Sequence, residues 1–211
     1  MRKPVKIVLI AVSVLAVIFF SLKIEYLEEY KSKNTVEVFD AAKYAEHFWK
    51  EDLPKLKEKA TDAESFILLL NDNPDEAFKK YGNVVGISKT YYFLLKGKGK
   101  ISLVEDEYFV VDISENQSIQ VATEFIFGNA VRDGSGKISI DEFLNMTDFN
   151  NVSVALNKLV KANVVKKLKS RAGVGKSVEF VGAAEISMEN IETDKIRIIP
   201  VIAQIRNGKN E

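Results

Sequence analysis

The stretch "VRDGSGKISIDEF", Val131 to Phe143, sets Asp133, Ser135, Ser139 and Glu142 at the spacing of side-chain ligands in an EF-hand calcium loop. Counting back from Glu142 as the bidentate last ligand, Gly136 falls on the turn glycine and Ile138 on the apolar position. The first ligand position, however, is Val131, which removes a carboxylate and places an apolar group against the cation. The preceding "IQVATEFIF" alternates like a strand where an entering helix is needed, and no second loop exists for pairing. The stretch therefore reads as a glycine-rich turn between β elements. Weak calcium binding through residues 131–143 is the alternative.

Other candidate chemistry is sparse. With no cysteine, thiolate metal sites, cysteine nucleophiles and lipid attachment through cysteine are excluded. A single histidine, His47, leaves no partner for a histidine metal site or a catalytic triad. Arg132–Asp133 could clamp a carboxylate or vicinal hydroxyls through the guanidinium fork, but a structural ion pair is preferred. Asp112, Asp133 and Glu142 are the carboxylates that a glycan-acting enzyme would use, and nothing sets two of them at a working separation. Tyr91, Tyr92 and Phe93 could stack on a sugar, although alternating strand positions favour a core role. Lys158, Lys161, Lys166, Lys167, Lys169, Arg171 and Lys176 form a basic run that reads as a solvated helix face, with anionic lipid headgroups as another reading. No cofactor is expected. The expected character is a binding or accessory domain, not an enzyme, with a glycan-acting enzyme or a structural envelope protein as alternatives.

The elements that must position these residues follow from periodicity. Asp40 caps a helix carrying Ala41, Tyr44, Ala45, Phe48 and Trp49, and Pro54 kinks or restarts it. "TDAE", Thr61 to Glu64, reads as a capping box before "SFILLL". Asn73, Pro74 and Gly82 bound another helix, so residues 37–82 are predicted as three short helices. Aromatic and β-branched residues with glycine punctuation then predict two or three strands over Thr90–Ile113 and another in "SIQVATEFIF". A helical stripe runs over 149–170, and "SVEFVGAAEI" with "KIRIIPVIAQI" predicts a last hairpin. The fold class is α+β: short helices packed on an OB-like antiparallel β-barrel, residues 86–205, with a helix before the last two strands.

Arg2, Lys3 and Lys6 precede an uncharged apolar run over residues 7–22, slightly short of the roughly 17–25 residues that span a bilayer. The run ends in "FFSLKIEY" without a small-residue cleavage pattern, so it reads as a signal-anchor, with a cleaved signal peptide as the rival. The basic stub, residues 1–6, then stays cytoplasmic in a bacterial inner membrane, 23–36 form a stalk, and 37–205 face the periplasm. Residues 206–211 are a disordered tail. The chain balances 30 basic against 30 acidic residues, but without the three N-terminal cations the rest is mildly acidic, which argues against nucleic acid.

Spread over residues 38–205 are "FDAAKYAEHFW" with "LPKLKEKA", Tyr81–Gly82, "FLLKGKGKI", "GNAVRD" with "FLNM", "VSVALN", "VEFVGAAEI" and "IRIIPV". In this order they resemble the predicted periplasmic lipoproteins of the domain of unknown function twenty-two ninety-one. The resemblance implies that Gly128, Arg132, Asp133, Phe143, Asn145 and Asn157 matter as a set, in ligand binding or in structure. It carries over no catalytic role. It also implies an accessory role in solute uptake, since members are often encoded beside sugar ABC-transport components; an ABC transporter or solute-binding protein is the expected partner. The chain departs from the family in lacking the lipid-attachment cysteine, so the apolar segment is the expected anchor.

Overall fold

The structure is a computed structural model that describes residues 39–206, with Val5, residues 12–14 and residues 17–19 of the N-terminal segment. It divides into two units, Met1–Phe39 and Asp40–Glu211. The described residues of the first are helical up to residue 19, and Phe39 is not. Most of the predicted signal-anchor and of the stub, and the stalk and the tail beyond Arg206, lie outside the described residues. Among the described residues no helix is long and apolar enough to cross a membrane.

The second unit opens with helices. Asp40 caps α1 (Ala41–His47) by accepting from the Lys43 amide at 2.9 Å. A π turn, Phe48–Asp52, follows, and Pro54 then restarts the helix as α2 (Leu53–Lys59) in the first-turn position where its missing N–H costs nothing. The predicted capping box at Thr61 is not formed. Thr61 instead lies in a two-residue strand, β1 (Thr61–Asp62), and Asp62 caps α3 (Ala63–Asp72) through the Ser65 amide. The carboxylate of Asp62 out-competes the Thr61 hydroxyl for the free amides because it accepts with a full charge. Asn73 caps α4 (Pro74–Tyr81), which stops at Gly82 as predicted. Four helices thus stand where three were expected.

The strands are β2 (Thr90–Val104), β3 (Tyr108–Ser114), β4 (Gln117–Ala122), β5 (Ser177–Ser187) and β6 (Arg197–Arg206). They form one six-stranded sheet in the order β1-β2-β3-β4-β6-β5, and β2 also pairs with β5, so five strands return on themselves. The barrel is neither complete nor wholly antiparallel. β4 meets β6 in parallel through only two residue pairs, Gln120 with Arg197 and Val121 with Ile198. Between β4 and β5 come a short helix, α5 (Ala130–Gly134), a 3-10 turn (Ile140–Glu142), and a long helix that starts before the predicted 149–170 span. That helix is α6 (Met146–Val160), continued by a π turn (Lys161–Val165) and α7 (Lys166–Arg171).

Alternation fills the barrel. Phe93, Leu95, Phe109, Val111, Ile119, Val121, Phe180 and Ile198 point inward, closed over by Phe66 and Phe78 from α3 and α4 and by Val164 and Leu168 of the long helix. Phe93 is the centre of an aromatic group, its ring 4.7 Å from Phe66 and 5.5 Å from Phe78. The opposite face of β5 is also buried. Val181 and Ala183 lie there beneath α5, and α1 packs against α6 in the same helical layer. Gly134 allows the close approach, since a Cβ on it would lie 3.1 Å from the Phe93 carbonyl oxygen and 3.2 Å from the Ala183 Cβ.

Candidate functional site

The six residues singled out by the family resemblance gather in this helical layer and tie the segment from Gly128 to Asn145 to α6 and α1. Arg132 and Asp133 sit on α5 and are 2% and 4% exposed. Arg132 Nε donates to Asp133 Oδ1 at 2.6 Å and Nη2 to Oδ2 at 2.9 Å, a bidentate pair. Its Nη1 donates to the Phe149 carbonyl at 3.1 Å and to Asn150 Oδ1 at 3.2 Å. The guanidinium also stacks on the Phe149 ring, 3.5 Å from its centre. Nε, Nη1 and Nη2 are therefore all used internally, and no open fork faces solvent.

Phe143 extends the stack, 5.4 Å from Phe149 on one side and 5.4 Å from Tyr44 of α1 on the other. Asn145 caps α6, accepting from the Asp148 amide at 2.9 Å, and so fixes the helix that carries Phe149 and Asn157. Asn157 Nδ2 donates to the Gly128 carbonyl at 2.9 Å. Gly128 has φ +78, a left-handed conformation that glycine adopts without steric cost.

The calcium-like oxygens are engaged one by one. Both Asp133 oxygens hold Arg132. Ser135 Oγ donates to the Arg132 carbonyl at 2.6 Å. Ser139 and Glu142 form a capping box, with Glu142 Oε1 accepting from the Ser139 amide at 2.8 Å. Glu142 Oε2 accepts from the Tyr44 hydroxyl at 2.9 Å, and burial, with the Glu142 carboxylate beside it, raises the Tyr44 pKa well above the usual phenol. The carboxylates considered for glycan chemistry are similarly dispersed: Asp112 on β3 accepts from Ser102 at 2.7 Å, while Asp133 and Glu142 serve the bonds just described. His47, in the last turn of α1, is exposed.

What this network presents is a loop the sequence did not reveal. The alternation in "SIQVATEFIF" predicted a strand to its end, but β4 stops at Ala122. Thr123 and Glu124 then turn away, both amides donating to the Glu107 carbonyl, and the Glu124 carboxylate pairs with Lys169. Phe125 takes φ +52, the left-handed region that a bulky residue rarely adopts. Ile126 is buried at 1% exposure, while Phe125 and Phe127 on either side are 62% and 68% exposed. Asn157 holds the far end of the loop through Gly128. The glycine directly after an alternating run was the one local sign of a turn.

Beside this end lies a cross-strand pair, Tyr92 on β2 opposite Glu185 on β5. A Cβ on Gly128 would lie 4.0 Å from Glu185 Oε2. The Glu185 pKa is raised, first by burial of the carboxyl against the protein and then by the charge of Asp133. Tyr92 is raised too, by burial, then Glu185 and Asp133, with Arg132 opposing. Phe93 is interior, as the alternation implied, and Tyr91 packs against the interior cluster.

A curled five-stranded ring with a helix between its third and fourth strands, carrying helices on its outer face, is an α+β domain of OB type. The chain belongs to the family described as predicted periplasmic lipoprotein (DUF2291), which matches residues 12–204. It is similar to an OB-fold protein from Thermotoga maritima, known from a crystal structure at 1.90 Å resolution. The two share 29% identity with a TM-score of 0.72, over 81% of this chain and 100% of that one. No curated protein matches. The family description supports an extracytoplasmic location. The sequence itself holds no cysteine, the residue that lipid attachment would use.

Proposed function

We propose that the chain is a non-catalytic accessory domain of the cell envelope that assists solute uptake by docking on a component of a sugar ABC transporter. The observation that carries this reading is the Phe125–Phe127 loop. Two large aromatic side chains stand in solvent on either side of a buried isoleucine, and one has a backbone conformation that costs on the order of 1–3 kcal/mol. Folding gains nothing from that arrangement, whereas a partner pocket would gain the burial of both rings. The Arg132–Asp133 network supports the same reading. Its polar groups are turned inward, so its contribution is to hold the loop rigid, and rigidity lowers the ordering cost of association. A single-pass anchor at residues 7–22 would hold the domain at the membrane that contains such a transporter.

The test is a photo-reactive phenylalanine analogue at position 127 of the full-length chain, irradiated in intact cells. Crosslinking to a permease or solute-binding subunit of a sugar transporter supports the proposal. Crosslinks confined to lipid, or none above those of the same analogue at exposed Val174, would overturn it.

A further inference from the structure

Strand β6 has a neighbour along one side and almost none along the other. β5 pairs with it from Ile198 to Arg206, but β4 reaches only Arg197 and Ile198. From Val201 to Arg206 no strand lies on the second side among the described residues.

A groove of about 810 Å³ follows this open edge. All six consecutive residues from Val201 to Arg206 line it. Neighbouring side chains of a strand point to opposite faces, so consecutive residues share one groove only where it opens on the strand's edge and its backbone N–H and C=O groups. The other walls are the Trp49 turn, α2 and the end of the long helix, which adds Leu168. An open strand edge invites pairing with another chain, and proteins usually block it. Here helical walls flank the edge, which favours a single extended segment over a second sheet.

The charge of the groove narrows the occupant. Lys57, Lys167, Arg171 and Arg206 line it, and no acidic residue does. Glu179 reaches Lys57 at 3.1 Å and Arg206 at 3.8 Å, while Lys167 and Arg171 have no acidic partner among the described residues. A second copy of the chain would bring the same cations face to face, which disfavours self-pairing. We propose that this groove binds an extended acidic peptide segment of a partner protein. The segment adds as a strand to β6 through backbone hydrogen bonds, sets its carboxylates against Lys167 and Arg171, and lays apolar side chains near Trp49 and Leu168. This inference rests on the β6 edge alone and is independent of the phenylalanine loop.

The experiment uses the full-length chain and a fluorescein-labelled octapeptide alternating glutamate and valine, followed by anisotropy. Binding should weaken with added salt and fall by about tenfold in Lys167→Glu/Arg171→Glu, whose sites are exposed and whose circular dichroism should match the parent's. A peptide of the same charge with alternate backbone amides N-methylated should not bind. Equal binding of the methylated peptide would reduce the site to a charge patch and overturn strand addition. Failure of the parent peptide to bind overturns the proposal. So does binding of phosphatidylglycerol vesicles in its place, or a dimer by analytical ultracentrifugation that the double variant dissolves.

Discussion

The two faces of β5 are both buried, by opposite means. Inside the barrel, Val178, Phe180 and Ala184 join a cluster with no polar member. On the outer side, Val181 and Ala183 lie under a helical layer that holds four of the five buried polar or charged residues among those described: Arg132, Asp133, Ser153 and Asn157. Apolar contact is non-directional, so the interior needs volume and alternation more than particular partners. Hydrogen bonds and ion pairs are directional, so the outer layer fixes one geometry and is intolerant of partial loss. The two faces thus draw their specificity from different sources. The interior makes the domain fold, and the outer layer determines where the 123–129 loop stands.

The largest expected effect on the interior side comes from Phe93→Ala, which removes the centre of the aromatic group and should cost about 3–5 kcal/mol in urea unfolding. Phe93→Leu should recover much of it, because apolar volume is what the site requires. Arg132→Ala should cost a similar amount, about 3–5 kcal/mol, by leaving Asp133 buried and unpaired. Here the conservative change should not rescue. Lysine cannot supply the fork that holds both Asp133 oxygens. The apolar double replacement Arg132→Met/Asp133→Leu should, by contrast, restore most of the stability. If Arg132→Lys is as stable as the parent, the proposed contrast between the faces fails.

Asn157→Ala should cost about 1–3 kcal/mol, because the Gly128 carbonyl loses its donor. Part of the loss is recovered, since Asn157 Oδ1 is buried without a partner. Faster hydrogen exchange should appear at residues 125–129 and not in β2.

The smallest effect is electrostatic. A carboxyl whose folded pKa is raised holds more proton folded than unfolded, so ionising it costs stability as pH rises above its ordinary value of 4.5. Glu185→Gln should therefore raise the thermal midpoint slightly at neutral pH, with the gap closing below about pH 4. A gap that widens on acidification would mean that Glu185 is stabilised by a partner instead.

How much could be read in the sequence divides along the same line. The interior was legible, because residues such as Phe109, Val111, Ile119 and Val121 announce their face by alternation. The α1 and α4 caps at Asp40 and Asn73 were legible because capping is local. In the calcium-like loop, the position that an EF-hand gives to its first ligand is held by Val131, which is buried. Phe125 and Phe127 were hidden, since an alternating Phe-Ile-Phe is the pattern of a strand. Only the turn enforced by Thr123, Glu124 and Glu107 reverses which residues face solvent. The β6 groove was hidden as well, because its edge exists only once β4 and β6 meet through two residue pairs. Arg206, read as part of the tail, is the last residue of that strand.

In the proposed reading, the outer layer holds two phenylalanines in solvent for a partner. That reading is tested most directly by Phe125→Ser/Phe127→Ser in the full-length chain, with thermal unfolding and capture of the transporter component measured on the same preparation. The expected result is a thermal midpoint close to the parent's, since both rings are exposed and serine keeps the Cβ that sets the backbone cost at position 125, together with loss of capture. A large fall in the midpoint, or unchanged capture, would contradict it.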